Sequence, residues 1–419
     1  MPKRKHIIIG SGPAALSAVD RIRSLNRDDE ILVISREGTL PYSPAILPYL
    51  LAGRTTESDI WLRDEEYFNN MKVTFASGKE VTKVLPDRKQ IAYRDGAIDK
   101  YDNLLIASGA EPAALPIKGL SENGFLNLRT LDDYHRLDKT LENGTEVAIL
   151  GAGMVAMELA MTLAERGNKV KIIGRGRPLR IYFDEQAGGY IRDIFVGHGV
   201  EITTGKSISE VKSSRDGIEV HCTDGEIFKA DLLVCCLGVT PRLSLIEGSG
   251  IATNQGILVD NRMKTNMEGV YAAGDVAEAP GFFNNQPGIS AILPSAIAQG
   301  KVAGANMAGE DCDYEGWVSM NQLKFFGNSA CSIGVAMPQD GEGEVLEEKT
   351  DADRYFKRMV IKDEKLIGAM FVNVDIDPGV IRYLIEKRVD IGAHKQALFE
   401  QPGEISRWLM LENERGAAI

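Results

Sequence analysis

Cysteine is scarce and poorly spaced for chemistry. The 419 residues carry five, Cys222, Cys235, Cys236, Cys312 and Cys331, with no C-x-x-C pair and no zinc or iron–sulfur spacing. A disulfide framework and a resident cluster are thereby excluded, no metal site is expected, and the expected compartment is a reducing cytoplasm. No window of about 18 apolar residues occurs, so no membrane-spanning helix is expected. The basic start at Lys3-Arg4-Lys5 is followed only by Ile7, Ile8 and Ile9 before Gly10, far short of a secretory apolar stretch. No basic tract follows it, and 48 Lys+Arg against 60 Asp+Glu leave a net charge of −12. The electrostatic footprint of nucleic-acid binding is therefore missing, and a basic partner protein fits better. Histidine is sparse as well. His6, His135, His198, His221 and His394 are scattered, and none is assigned a catalytic role.

What the chain has is glycine, 43 residues of it, somewhat above the usual share of about 7%. Its length corresponds to about three domains. Two glycine runs sit in informative places. Ile7 to Ile9, a short β-branched run, enters Gly10-Ser11-Gly12-Pro13-Ala14-Ala15, and Leu16, Ala18, Val19, Ile22 and Leu25 follow at helical spacing. This pattern predicts strand, turn and helix, with a second strand at Ile31 to Ile34. The first Gly makes the turn and the second lets the backbone approach a pyrophosphate. Small Ala15 permits close packing of helix on strand. The helix N-terminus then offers unpaired N–H groups and a partial positive charge to phosphate.

The arrangement recurs where Glu146 to Leu150 enters Gly151-Ala152-Gly153-Met154-Val155-Ala156, with a helix through Glu158, Leu159 and Leu163 and a second strand at Val170 to Ile173. Each loop cradles one pyrophosphate, so two loops imply two dinucleotides. A third element, Val270-Tyr271-Ala272-Ala273-Gly274-Asp275, is an apolar strand ending in Gly-Asp before a small-residue helix from Pro294 to Met307.

Taken in this order, the motifs resemble the FAD-dependent pyridine nucleotide-disulfide oxidoreductases, flavoproteins with two dinucleotide-binding domains. The resemblance covers essentially the whole chain. It implies an α/β fold of two Rossmann-like domains, for FAD and NAD, with the NAD domain inserted into the FAD domain, plus an α+β C-terminal interface domain. The expected limits are 1–116 and 248–313 for FAD, 117–247 for NAD(P), and 314–419 for the interface domain. Leu105-Ile106-Ala107-Ser108-Gly109-Ala110 resembles the crossover leaving the FAD domain, and Leu237-Gly238-Val239-Thr240-Pro241 the return. Strand patterns at Phe356 to Ile361 and Leu366 to Val372 and a helical one at Val380 to Lys387 fill the last region. Acidic Asp340 to Glu348 reads as a mobile surface segment.

The resemblance implies site residues. For FAD they are Gly10, Gly12, Pro13, Ala14, Ser43, Pro44, Val81, Ala107, Ser108, Gly109, Gly274 and Asp275, with Asp275 on the ribityl chain. The adenosine ribose falls to Ser35, Arg36 and Glu37, whose division of that task stays open. For the nicotinamide dinucleotide they are Gly151, Gly153, Met154, Val155, Glu158, Arg175 and Gly238. Glu158 reaches the nicotinamide carboxamide and is the catalytic candidate, since the flavin supplies the chemistry and the protein supplies orientation. The second strand of this half ends at Gly174, with Arg175 and Arg177 next and no acid. Those residues alone leave NADP open, while the resemblance favours NAD.

Leu40 to Tyr49 resembles the segment that carries a redox Cys in coenzyme A disulfide reductases and NADH peroxidases, but Ala45 stands at the Cys position. In rubredoxin and ferredoxin reductases a Lys follows, and that place falls on Tyr49. The vicinal pair Cys235-Cys236 lies in an apolar strand, where thiols are usually inert. Without a thiol relay, electrons must pass directly between flavin and an external one-electron carrier, an iron–sulfur protein. Lys3, Arg4, Lys5, Lys324, Lys387 and Arg388 are candidates for a docking patch.

Tyr42-Ser43-Pro44 to Leu50 and Met320 to Gly327 resemble the NADH-linked flavoprotein subunits of multi-subunit 2-oxoacid oxidoreductases of the phenylglyoxylate dehydrogenase type. The function implied is exchange of electrons between an iron–sulfur partner and NAD inside such a hetero-oligomer. A free-standing NAD(P)H:rubredoxin or ferredoxin reductase is the first alternative. An NADH-sensing flavin interaction protein with little turnover is the second.

Overall fold

The computed structural model describes residues 3–113, 116–120, 125–214 and 217–417. The chain divides into two compact units. One holds Met1–Ile46, Thr55–Pro112 and Val239–Trp317, the other Leu47–Arg54, Ala113–Gly238 and Val318–Ile419.

The first unit is built on a five-stranded sheet in the order Val270–Ala272, Asn103–Ile106, Lys5–Ile9, Glu30–Ile34, Val73–Ala76. All its neighbours run parallel, with Ile8 opposite Val33 on one side and Leu105 on the other. The β-branched run at Ile7 to Ile9 is buried because a parallel sheet is covered on both faces. Helix Pro13–Leu25 follows the first strand with Pro13 in its first turn, where the missing N–H costs nothing. It buries Ala15, Ala18, Val19 and Ile22.

Helix Leu293–Ala308 presses against that helix. A Cβ on Gly300 would fall 2.1 Å from the Ala14 carbonyl oxygen, and one on Gly304 would fall 2.6 Å from that of Ala18. Two glycines one turn apart thus face two alanines one turn apart, and nothing larger than hydrogen fits at either glycine. Below the sheet, Arg4 donates to Asp29 at 3.1 Å and to the Ala308 carbonyl at 2.6 Å, while buried His6 meets Asp29 at 2.9 Å. Lys5 pairs with Asp99 at 2.8 Å. Arg4 and Lys5, expected in a docking patch, are therefore engaged in holding their own unit together.

In the second unit the parallel order is Glu201–Thr203, Lys169–Ile173, Glu146–Leu150, Leu232–Cys235. A three-stranded antiparallel meander, Ile208–Ser214, Gly217–Cys222 and Ile227–Ala230, accompanies it. The C-terminal region forms a five-stranded antiparallel sheet in the order Met320–Phe325, Asn328–Gly334, Lys365–Val372, Tyr355–Lys362, Glu344–Thr350, followed by helices Pro378–Glu386 and Pro402–Ala417. The expected mobile stretch at Asp340 to Glu348 is partly wrong. From Glu344 onward it is an edge strand, Glu344 lying opposite Ile361 and Glu348 opposite Lys357. Its acids suit a sheet edge, where charge discourages pairing with another chain. The α/β class with two Rossmann-like sheets expected from the sequence is met. No helix among the described residues is long and apolar enough to cross a membrane.

Candidate cofactor sites

In the first unit the loop from Gly10 to Ala15 joins strand to helix. Gly10 has φ +111°, and a Cβ there would fall 2.1 Å from the Ala107 carbonyl oxygen, so the turn requires glycine. This contact lays Ala107-Ser108-Gly109 beside the loop. Gly12 is the helix N-cap, no side chain caps its N–H groups, and a Cβ there would meet nothing within 4 Å. Uncapped donors beside open space are what a pyrophosphate needs, and the residues present fit an FAD cradle. Gly274, at φ +81°, brings the third motif to the same place, since its Cβ position lies 3.2 Å from the Ala14 side chain. Asp275, half-buried, follows directly.

The remaining expected FAD residues are placed as follows. Ser35 is buried, its N–H donating to the Ala76 carbonyl at 3.0 Å. Arg36 is exposed, and Glu37 accepts the Tyr42 hydroxyl at 2.6 Å. Ser43 and Pro44 open a short 3-10 turn, the Ser43 carbonyl accepting the Ile46 N–H at 3.0 Å. Val81 has its side chain in the core. Ser108 donates to the Arg242 carbonyl at 3.3 Å and the Gly109 carbonyl accepts the Arg242 N–H at 3.0 Å.

The second unit repeats the cradle. Gly151 has φ +106°, and a Cβ there would fall 2.3 Å from the Cys236 carbonyl oxygen. Gly153 caps helix Met154–Glu165 without a side-chain cap and in open space. A second dinucleotide fits by the same reasoning. Val155 is exposed and Met154 half-buried at the helix start, while Gly238 follows the strand that backs the loop, its carbonyl accepting the Ala113 N–H at 3.0 Å. Arg175 is exposed just past Gly174. Arg177 turns its guanidinium toward Gly188, with Nη1 2.7 Å from a Cβ position there.

Glu158 lies on the first turns of this helix. Burial alone pushes its carboxyl up to about 7, because a charge removed from water without a compensating cation favours the neutral form. Tyr49 stands near it. The short helix Leu47–Leu51 is tied to helix Met154–Glu165 and the residue after it by Thr162 donating to the Pro48 carbonyl at 3.4 Å and Arg166 to the Leu51 carbonyl at 2.8 Å. Arg54 pairs with Glu165 at 2.6 Å. In the sequence Tyr49 stands out only as a departure from a Lys. Its neighbour Glu158 is 109 positions away, a pairing that local pattern does not carry.

Burial disfavours the thiolate at all five cysteines. Burial pushes Cys235, Cys236 and Cys331 up to about 12 and raises Cys222 and Cys312 as well. A thiolate is the reactive form, so none of the five is poised as a nucleophile or redox relay. Among the described residues no group of three or more His, Cys, Asp or Glu could hold a metal.

Two glycine cradles on parallel sheets, one with a Gly-Asp turn packed on it and the other with a half-buried carboxyl beside it, define an oxidoreductase of the two-dinucleotide flavoprotein class. The chain belongs to the pyridine nucleotide-disulphide oxidoreductases, whose sequence pattern matches residues 4–300, and residues 320–387 match the rubredoxin NAD+ reductase C-terminal domain. The family uses FAD and NAD(H). The chain is 37% identical, over 98% of both chains, to the NADH-dependent phenylglyoxylate dehydrogenase subunit epsilon of Aromatoleum evansii. It is 28% identical to the NADH-rubredoxin oxidoreductase of Clostridium acetobutylicum, over 89% of this chain and 92% of that one. The fold matches the NADH-bound water-forming NADH oxidase of Lactobacillus brevis with a TM-score of 0.86 over 99% of each chain, at 20% identity. The chain is thus an NADH-dependent flavoprotein reductase of electron transfer.

Proposed function

We propose that this chain is the flavoprotein subunit of a 2-oxoacid:NAD oxidoreductase of the phenylglyoxylate dehydrogenase kind, passing electrons between an iron–sulfur partner and NAD. The observation that carries this reading is the end-to-end similarity to the epsilon subunit, joined to five cysteine thiols that burial keeps protonated. When bound, FAD would exchange electrons one at a time with an iron–sulfur carrier and as hydride with nicotinamide, which is the chemistry needed to join the two.

The chain's own residues then have positional work. The cradle at Gly10, Gly12, Pro13 and Ala14 binds the FAD pyrophosphate, and Asp275 fixes the ribityl chain. Ser35, Arg36 and Glu37 meet the adenosine ribose. Ser43, Pro44, Val81, Ala107, Ser108 and Gly109 line the same dinucleotide. Gly151, Gly153, Met154, Val155 and Gly238 hold the NAD pyrophosphate, Arg175 sits by its ribose, and Glu158 orients the carboxamide. The domain limits proposed are those of the sequence reading, with residues 1–116 and 248–313 for FAD, 117–247 for NAD(P) and 314–419 as an interface domain.

The test is isolation of the chain from its native source under mild conditions. Stable copurification with iron–sulfur subunits that reduce NAD in the presence of a 2-oxoacid and coenzyme A supports the proposal. A lone chain that reduces an added rubredoxin with NADH refutes it in favour of a free-standing reductase, a second reading favoured by the match at residues 320–387.

A further inference from the structure

Gln299 is wholly buried in helix Leu293–Ala308, and its side-chain oxygen accepts the Gly274 N–H at 2.8 Å. Its amide nitrogen is buried too and finds no hydrogen-bond partner among the described residues. A buried polar group left half-satisfied costs more than an apolar residue of the same volume in that position. Gln299 is therefore a poor choice for stability alone, and what it contributes lies in the bond that it does make.

That bond ends on the residue before Asp275. Gly274 holds a left-handed conformation, φ +81°, and stands 3.2 Å, measured from its Cβ position, from the Ala14 side chain. Gly300, the next residue after Gln299, approaches the Ala14 carbonyl so closely that a Cβ would fall 2.1 Å from it. Helix, Gly-Asp turn and glycine loop are thus pinned to one point. Without a side-chain acceptor, the Gly274 N–H is buried and unpaired, and the turn is free to relax into a conformation that pairs it elsewhere.

The geometry points to Gln299 as a positioning residue of the FAD site, holding the Gly274–Asp275 turn so that the Asp275 carboxylate faces the bound cofactor. It acts through Asp275 and touches no reacting atom. The inference rests on the FAD role given above to Asp275.

The test is FAD affinity of the apoprotein, read by quenching of flavin fluorescence, together with the visible circular dichroism of the bound flavin. Gln299→Met keeps the volume and removes the acceptor, and it is expected to weaken FAD binding roughly tenfold, the size of one buried hydrogen bond. The visible circular dichroism of the flavin that Gln299→Met does bind is expected to differ from wild type, a change in the turn at the cofactor that a loss of fold stability alone does not produce. In an Asp275→Asn background Gln299→Met is expected to add little, because the two residues act as a unit. Losses that multiply would mean that Gln299 supports the fold and not the turn, and would overturn the proposal, as would unchanged FAD affinity in Gln299→Met. Should Gln299→Met not fold, Gln299→Asn, one methylene shorter, withdraws the acceptor and is read the same way. A wild-type apoprotein that takes up no FAD refutes the functional reading itself, whereas a wild type that binds FAD beside an unaffected Gln299→Met refutes only the role of Gln299.

Discussion

Tyr49 is held in the electrostatic field of Glu158. Burial, and then the Glu158 charge, raise the phenol above its ordinary value, while burial alone raises the carboxyl to about 7. The hydroxyl is thus neutral throughout the range in which the carboxyl titrates. A Lys at position 49 would instead place a cation near the carboxyl and draw it back toward its ordinary value.

The first prediction is a pH dependence of stability. A carboxyl whose value is raised on folding binds a proton more tightly in the native state, so its contribution is fully present below about 4.5 and is lost as pH rises toward about 7. Thermal unfolding of wild type and Glu158→Gln between pH 4.5 and 8 should show the variant gaining relative to wild type across that window and holding a constant lead above it. Parallel curves would mean that Glu158 is already ionised throughout.

The second prediction separates the two cradles. Gly151→Ala forces a Cβ to 2.3 Å from the Cys236 carbonyl at φ +106°, a clash and a strained backbone that together cost several kcal/mol locally, about 2–4. The purified variant should keep its FAD yet be reduced by NADH at least tenfold more slowly in stopped flow. Gly10→Ala makes the same clash with Ala107 and should yield protein depleted of flavin. Equal FAD loss in both would assign both loops to one cofactor.

The glycine loops were legible because each compresses its geometry into six residues, and chain order alone identified the α/β class. Less legible was whatever joins distant residues. Leu47–Arg54 is compact with residues 113–238 and not with the flanking sequence, and nothing in its composition announces that. Gln299 carries no local signal of the bond it makes to Gly274, although Gly300 and Gly304, spaced as Ala14 and Ala18 are, carry a readable signal of close helix packing. Glu344–Thr350 was hidden because its Glu residues mask the alternation of an edge strand that pairs on one side only. Arg4 and Lys5 looked free for docking because their partners Asp29 and Asp99 lie 25 and 94 positions away.

The third prediction concerns the adenosine end of the nicotinamide dinucleotide. Arg175 is exposed after Gly174, where no acid reads the ribose hydroxyls. NADH should reduce the flavin faster than NADPH, and Arg175→Ala should lower kcat/KM for NADPH by roughly tenfold while leaving NADH within about threefold, since only the 2′-phosphate needs the cation. An equal loss with both would place Arg175 on a group the two share.

The last prediction is that no thiol lies on the electron path. The resemblance of Leu40 to Tyr49 to a redox-Cys segment puts Ala45 at the position of the thiol. Cys235 and Cys236 back the second cradle through their chain: the Cys236 N–H donates to the Leu150 carbonyl at 2.8 Å and its own carbonyl lies against Gly151. What these two cysteines supply is thus backbone, which any small residue keeps. Their thiols, pushed up to about 12 by burial, are protonated at neutral pH, and a protonated thiol neither attacks nor relays. Replacing all five Cys, with Ala at buried Cys222 and Cys331 and Ser or Ala elsewhere, should cost stability by about 1 kcal/mol per buried site through lost packing. NADH-to-dye turnover at a temperature where the variant stays folded should remain within about twofold of wild type, because hydride transfer from nicotinamide to flavin involves no sulfur. Turnover with an iron–sulfur carrier should survive equally. A variant whose flavin is reduced normally by NADH, but which fails to pass electrons to the carrier, would place a sulfur between flavin and partner and direct attention to Cys235 and Cys236.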